Sequence, residues 1–279
     1  MDYKDFLAAG AKFSQTYLSG MDGVKLFQVH FKPKLPSPYA PVIFIAGWGS
    51  VIDSWKIVIK EMTKDFEVFY IETREKSSSI HHSKQELNIE SLGNDLPCVL
   101  SEINLINKPY IMFGSSLGAT VILDAISKNK ISPTKAIIIG PNAEFHIPLV
   151  WLLIIQFTPS IFLYFLKPLV KWYMKKKYID INSDPEQYHK YVNVLNKANL
   201  KRLRRSTLSF SSYKIWDQLS NIHQSILIFT GSKDIMHGYE NILRMSSLLP
   251  KARLIDMGTN QNTHSIEMVI KIREFLNNN

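Results

Sequence analysis

Along the chain, short and almost continuously apolar runs alternate with longer segments whose apolar residues return at helical spacing. Six runs rich in β-branched and aromatic residues, bounded by Gly, Pro, Asn or Asp, predict strands: VKLFQVHF (24–31), PVIFIAG (41–47), FEVFYIET (66–73), PYIMFGS (109–115), KAIIIGP (135–141) and SILIFTG (225–231). ARLIDMG (252–258) reads as a seventh. Runs this uniformly apolar suit strands covered on both faces, the condition of a parallel sheet. Between them the helical pattern is clearest where Leu92, Leu96, Leu100 and Ile103 share one face, with Pro97 expected to kink that helix or mark its first turn. Strands alternating with helices imply an α/β fold with a doubly wound, mostly parallel sheet. No internal repeat is visible.

The alternation lapses from residue 142 to 218, which divides the chain into a core of residues 1–141 and 219–279 and a helical cap, or lid, of residues 142–218. Its first part, FHIPLVWLLIIQFTPSIFLYFLKPLVKWYMKKK, has no acidic or basic side chain other than His146 from Phe145 to Leu166, long enough to span a bilayer. A single crossing would separate strands that must join one sheet. Pro148, Pro159 and Pro168 also cut the stretch into pieces too short to cross. Short apolar helices forming a cap are the expectation.

Composition narrows the picture. A chain of 279 residues with 46% hydrophobic and 20% charged residues can bury one large core with an insertion. Cys98 is the only cysteine, which excludes a disulfide framework and a thiolate metal site and suits a reducing compartment. The opening MDYKDFLAAGAKF has two acids among its first five residues and no long apolar region, so a cleaved secretory signal is not expected and a cytoplasmic setting is. No metal or other cofactor is called for. The net charge of +9 permits attraction to anionic surfaces, but no motif supports nucleic-acid binding.

The chemistry centres on IMFGSSLGAT (111–120). Gly114-Ser115-Ser116-Leu117-Gly118 follows a predicted strand and opens a predicted helix, the context in which G-x-S-x-G turns expose a nucleophile. Glycine spacing selects Ser116, because Phe113 and Leu117 would flank Ser115; Ser115 is left a supporting place. A serine hydroxyl needs a histidine to take its proton and a carboxylate to hold that imidazole. Asp234 follows the strand SILIFTG, and His264 lies in a polar loop after the last strand. Asp217 and Asp256 are rival acids. Of the other histidines, His30 falls in a strand, His81 and His82 in a polar loop, and His146 and His189 in the insertion, leaving His223 and His237 as weaker alternatives. Oxyanion donors are expected from the backbone NH of Leu117 and from the loop Gly47-Trp48-Gly49-Ser50, with Trp48 NH preferred.

With these residues in place, the chain resembles the α/β-hydrolase superfamily over roughly residues 24–141 and 225–276. AGWGSVIDSW is similar to that family's H-G-x-G oxyanion segment followed by S-W, with Ala46 where histidine is usual. IETREKSSS is similar to its D-x-R-G-x-G-x-S loop, with Glu75 and Ser77 where glycines are usual. The resemblance implies a serine hydrolase, esterase- or lipase-like, working through Ser116, Asp234 and His264 on a small-molecule ester.

Cap composition bears on what such an enzyme accepts. Trp151, Ile155, Phe162 and Phe165 are the candidate pocket residues, offering surface for an acyl or other hydrophobic group, although much of the cap's apolar surface can serve to pack it on the core. Lysines at 167, 171 and 175–177 beside these aromatics also fit peripheral contact with a membrane surface. Thioesterase, acyltransferase and carbon-carbon hydrolase chemistry use similar triads. A ligand receptor with little turnover is the alternative from another class.

Overall fold

The computed structural model describes residues 3–82, 84–159, 162–177, 188, 192–193, 195–196, 198–234 and 238–278. Its strands are β1 (Lys12–Ser19), β2 (Lys25–Lys32), β3 (Val42–Ile45), β4 (Val68–Ile71), β5 (Ile111–Ser115), β6 (Lys135–Ile139), β7 (Ser225–Thr230) and β8 (Ala252–Asp256). They form one sheet in the order β1-β2-β4-β3-β5-β6-β7-β8. The first two strands are antiparallel to their neighbours, and β4, β3 and β5 to β8 run parallel.

All seven expected strands are present, and β1 is an addition. It pairs only with β2, and most of its residues are exposed or half-buried. An edge strand wetted this way has no need of a continuous apolar run, so KFSQTYLS carries a weak strand signal.

The central strands show why their sequences are apolar throughout. Along β3, Val42 and Phe44 point into one core cluster while Ile43 and Ile45 point into the other. On the face of Val42 and Phe44 lie α1 (Lys56–Met62) and the final helix over Ile266–Asn277; on the face of Ile43 and Ile45 lie α2 (Ile89–Glu102) and α3 (Leu117–Ser127). Pro97 sits inside α2, whose Leu92, Leu96 and Leu100 are buried as the spacing requires.

The segment between β6 and β7 carries α4 (Leu149–Phe157), α5 (Leu163–Lys177) and α6 (Leu200–Phe210). Among the described residues, no helix is long and apolar enough to cross a membrane. The amphipathic α6 is fixed by three arginines. Arg202 Nη1 donates to the carbonyls of Lys76 and Ser79, the latter at 2.8 Å; Arg204 donates to those of Ile155 and Gln156, both at 2.6 Å; and Arg205 Nη2 donates to that of Gln85 at 2.5 Å. Following β7 come α7 (Tyr239–Leu248), β8 and α8 (Ile266–Asn277).

Candidate active site

β5 ends at Ser115 and α3 begins at Leu117, so Ser116 alone makes the turn, at φ 48° and ψ −116°. A non-glycine residue at positive φ stores roughly 1–3 kcal/mol of strain. Two hydrogen bonds brace it: Ser116 N donates to the Ile139 carbonyl at 2.8 Å, and Thr120 N donates to the Ser116 carbonyl at 3.0 Å. The flanking glycines are required by close approach. A Cβ on Gly118 would stand 2.0 Å from the Ile45 carbonyl oxygen, and one on Gly114 would stand 2.8 Å from Ala119 N. The G-x-S-x-G spacing is thus the condition for α3 to lie against β3 while Ser116 is pushed out of the sheet's end.

Beside Ser116 is a cavity of about 50 Å³, lined also by Gly47, Trp48, Asp234, Asn260 and His264. Ser115, Ser116, Asp234 and His264 therefore reach one small space from loops after β5, β7 and β8. Asp234 is 6% exposed, and its Oδ2 accepts from Asn260 Nδ2 at 2.7 Å. His264 Nδ1 lies 3.0 Å from the Asn260 carbonyl oxygen and 3.1 Å from Thr263 Oγ1. A carbonyl can only accept, so the contact with Asn260 assigns the proton to Nδ1 and leaves Nε2 with a lone pair in the neutral ring. The ring packs against Trp55, with centroids 4.1 Å apart.

The rival residues have other employment. Asp256 Oδ1 accepts from Ser232 N at 2.9 Å and Gly258 N at 2.8 Å, bracing a turn. Asp217 lies in a 3-10 turn away from the cavity lining. His30 stacks on Phe69 at 4.0 Å and pairs with Glu67, His81 Nδ1 contacts the His82 carbonyl, and His223 is exposed. His189 and His237 lie outside the described residues.

Two contributors, both asparagines, carry no separate signal in the sequence, and a third is the tryptophan that ends AGWGSVIDSW. Asn142 Nδ2 donates to Ser116 Oγ at 3.3 Å, Asn260 links Asp234 to His264, and Trp55 forms the wall behind the imidazole. Only the position of Asn142 in the loop that leaves β6, and of Asn260 in the loop bearing His264, could have pointed to the asparagines.

Gly47 to Ser50 form a turn in which Ser50 N donates to the Gly47 carbonyl at 3.0 Å, with Gly49 at φ 61°. The Trp48 side chain lines both the cavity by Ser116 and a larger apolar one of about 330 Å³ under α4, α5 and α6. Its Nε1 donates to Ser206 Oγ at 2.8 Å. Trp151 and Ile155 line the apolar cavity. Phe162 and Phe165 correct the expectation placed on them: they do not line it and are 56% and 77% exposed, because they occupy the outer side of α5 and the turn before it. Among the described residues, no group of three or more His, Cys, Asp or Glu side chains could hold a metal ion.

No protein-family model and no curated protein sequence matches the chain. Solved structures do. An esterase from Thermogutta terrifontis superposes with a TM-score of 0.75 at 15% identity, over 94% of this chain and 98% of that one. An esterase from Exiguobacterium antarcticum gives 0.74 at 14% identity, over 94% and 100%. An enol-lactonase from Burkholderia xenovorans gives 0.74 at 13% identity, over 95% and 99%. Likeness of this extent at such low identity is a likeness of fold, and together with the eight-stranded sheet and the turn at Ser116 it establishes that the chain has the α/β-hydrolase fold.

Proposed function

We propose that the protein is a serine hydrolase that cleaves carboxylic esters bearing an apolar acyl group. The observation that carries the reading is the convergence of Ser116, held at positive φ, with His264 and Asp234 on one small cavity.

In the proposed reaction Ser116 Oγ attacks the ester carbonyl carbon as His264 Nε2 takes the hydroxyl proton. Asp234, near the imidazole through Asn260, stabilises the resulting imidazolium and its orientation. The oxyanion formed from the carbonyl is held by the NH groups of Leu117 and Trp48. Collapse breaks the carbon-oxygen bond, and the departing alkoxide takes the proton from His264. Water then attacks the acyl-enzyme with His264 again as base, which releases the acid and restores Ser116.

The acyl group occupies the apolar cavity beyond Trp48 in this scheme. At roughly 30 Å³ for each water-sized group, 330 Å³ has room for a chain of about ten carbons. The single cysteine suits a reducing compartment such as the cytoplasm. Phe165 and Trp172, both more than half exposed, share α5 with Lys167, Lys175 and Lys176, and we propose peripheral membrane contact there.

The test combines a fluorophosphonate probe with p-nitrophenyl esters of increasing acyl length. Labelling of wild type, none of Ser116→Ala, and kcat/KM rising toward the eight- to ten-carbon esters are expected. Labelling without ester turnover would move thioester, acyl-transfer or carbon-carbon chemistry ahead. Absence of both would favour a receptor.

A further inference from the structure

A second cavity adjoins the oxyanion loop, and Leu203 stands between it and the apolar one. It measures about 200 Å³, and Ser50 lines both it and the cavity by Ser116. Its walls carry Asp53, Glu72, Glu75, Lys76 and Ser78. Glu75 and Lys76 are 2% and 6% exposed, yet Glu75 Oε2 and Lys76 Nζ have no hydrogen-bond partner among the described residues. The nearest counter-charge to Lys76 is Glu72 Oε2 at 3.7 Å, too far for a hydrogen bond.

Buried polar atoms are nearly always satisfied, and leaving one unmade costs about 1–3 kcal/mol, more for a charged group. Both residues line the cavity, and a polar ligand held there, reached by a turn of either side chain, is a way to complete them. They are also held in place. Arg74 is fully buried and pairs with Asp95 through Nε at 2.8 Å, Arg202 bonds the Lys76 and Ser79 carbonyls, and Thr73 Oγ1 donates to Glu75 Oε1 at 2.7 Å.

We propose that this cavity is the subsite for the alcohol portion of the ester and takes a neutral, polyhydroxylated group such as glycerol. The proposal rests on the hydrolase reading above, with the acyl chain lying beyond Trp48. Three carboxyl groups against one ammonium disfavour an anionic headgroup, while hydroxyls can accept from Lys76 and donate to Glu72 or Glu75. Burial pushes the Glu75 carboxyl up despite the nearby Lys76, which further favours exchange of hydrogen bonds with neutral hydroxyls. The substrate would be a single-chain amphiphile with one apolar and one hydroxylated arm.

The experiment compares 1-octanoylglycerol with methyl octanoate, which share an acyl chain. Wild type should favour the glycerol ester at least tenfold in kcat/KM, the worth of one hydrogen bond to a charged group. That ratio should fall toward one in Lys76→Met and in Glu75→Gln, and free glycerol should inhibit methyl-ester hydrolysis competitively in wild type. A wild-type ratio near one without glycerol inhibition overturns the subsite even if neither variant folds. A high ratio that survives in both folded variants overturns the role of these residues. If neither ester is hydrolysed and Ser116 is not labelled, the hydrolase reading itself has failed, an outcome distinct from hydrolysis without preference.

Discussion

Replacing Gly118 with alanine tests the packing on which the turn at Ser116 depends. The new Cβ would lie 2.0 Å from the Ile45 carbonyl oxygen, 2.7 Å from its carbon and 2.9 Å from the Ala46 oxygen. All three are backbone atoms of, or next to, the central strand β3, so no side-chain rotation can relieve the contact. Either α3 withdraws by about 1 Å or β3 bends, at the upper end of the roughly 1–3 kcal/mol that overpacking costs. For 279 residues the entropy of unfolding is about 0.6 kcal/mol/K, so a loss of about 3 kcal/mol lowers Tm by about 5 °C. Gly93→Ala is the matched control. Its Cβ would meet nothing closer than 3.7 Å inside α2, and it should gain about 0.4–1 kcal/mol, or 1–2 °C. Thermal unfolding followed by circular dichroism reads both. A Gly118→Ala protein melting within 1 °C of wild type would refute the close approach of α3 to β3, and with it the reason given for the glycine spacing.

Arg74→Met should cost about 3–5 kcal/mol, since it leaves Asp95 buried without its ion-pair partner; urea denaturation would show it, and an unchanged midpoint would mean the pair is wetted. Burial lowers the His30 pKa against the opposing pull of Glu67, so the stability it contributes is complete above about pH 6.5 and is lost as pH falls through the lower folded value. Urea midpoints at pH 7.5 and 5.0 should therefore converge more in His30→Gln than in wild type; equal differences would sink the assignment. Lys175→Glu with Lys176→Glu should weaken flotation with anionic vesicles by at least about 30-fold, taking about 1 kcal/mol for each lysine lost before the repulsion of the new carboxylates. Equal flotation of wild type and variant, or flotation of neither, would remove α5 as a contact face.

The sheet was legible because its central strands are buried on both sides and advertise it: KAIIIGP and SILIFTG admit little else. By contrast β1 borrows its order from β2, and a sequence pattern reports a strand's own burial and not its neighbour's register. At the site, glycine spacing singles out Ser116 because the backbone approaches too closely at both flanks for a side chain. Asn142 and Asn260 were hidden for the opposite reason. They act through where two separate loops place them, and asparagines are common in loops of every kind. Phe162 and Phe165 show the limit of composition in an insertion that is apolar nearly all round. Nothing in FLYFL says which side of α5 turns toward a cavity.

The arginines of α6 look, in sequence, like solvated charge on a basic protein. In the fold they tie one insertion helix to two core segments and to the C-terminal end of α4, by bonds to five carbonyls. The consequence is mechanical. Arg202 and Arg205 tie α6 to carbonyls of Lys76, Ser79 and Gln85, between β4 and α2, so the helices that line the apolar cavity divide into one bonded to the sheet's loops and the rest. Any ligand that widened the chamber between α4 and α6 would have to break the two bonds that Arg204 makes to Ile155 and Gln156.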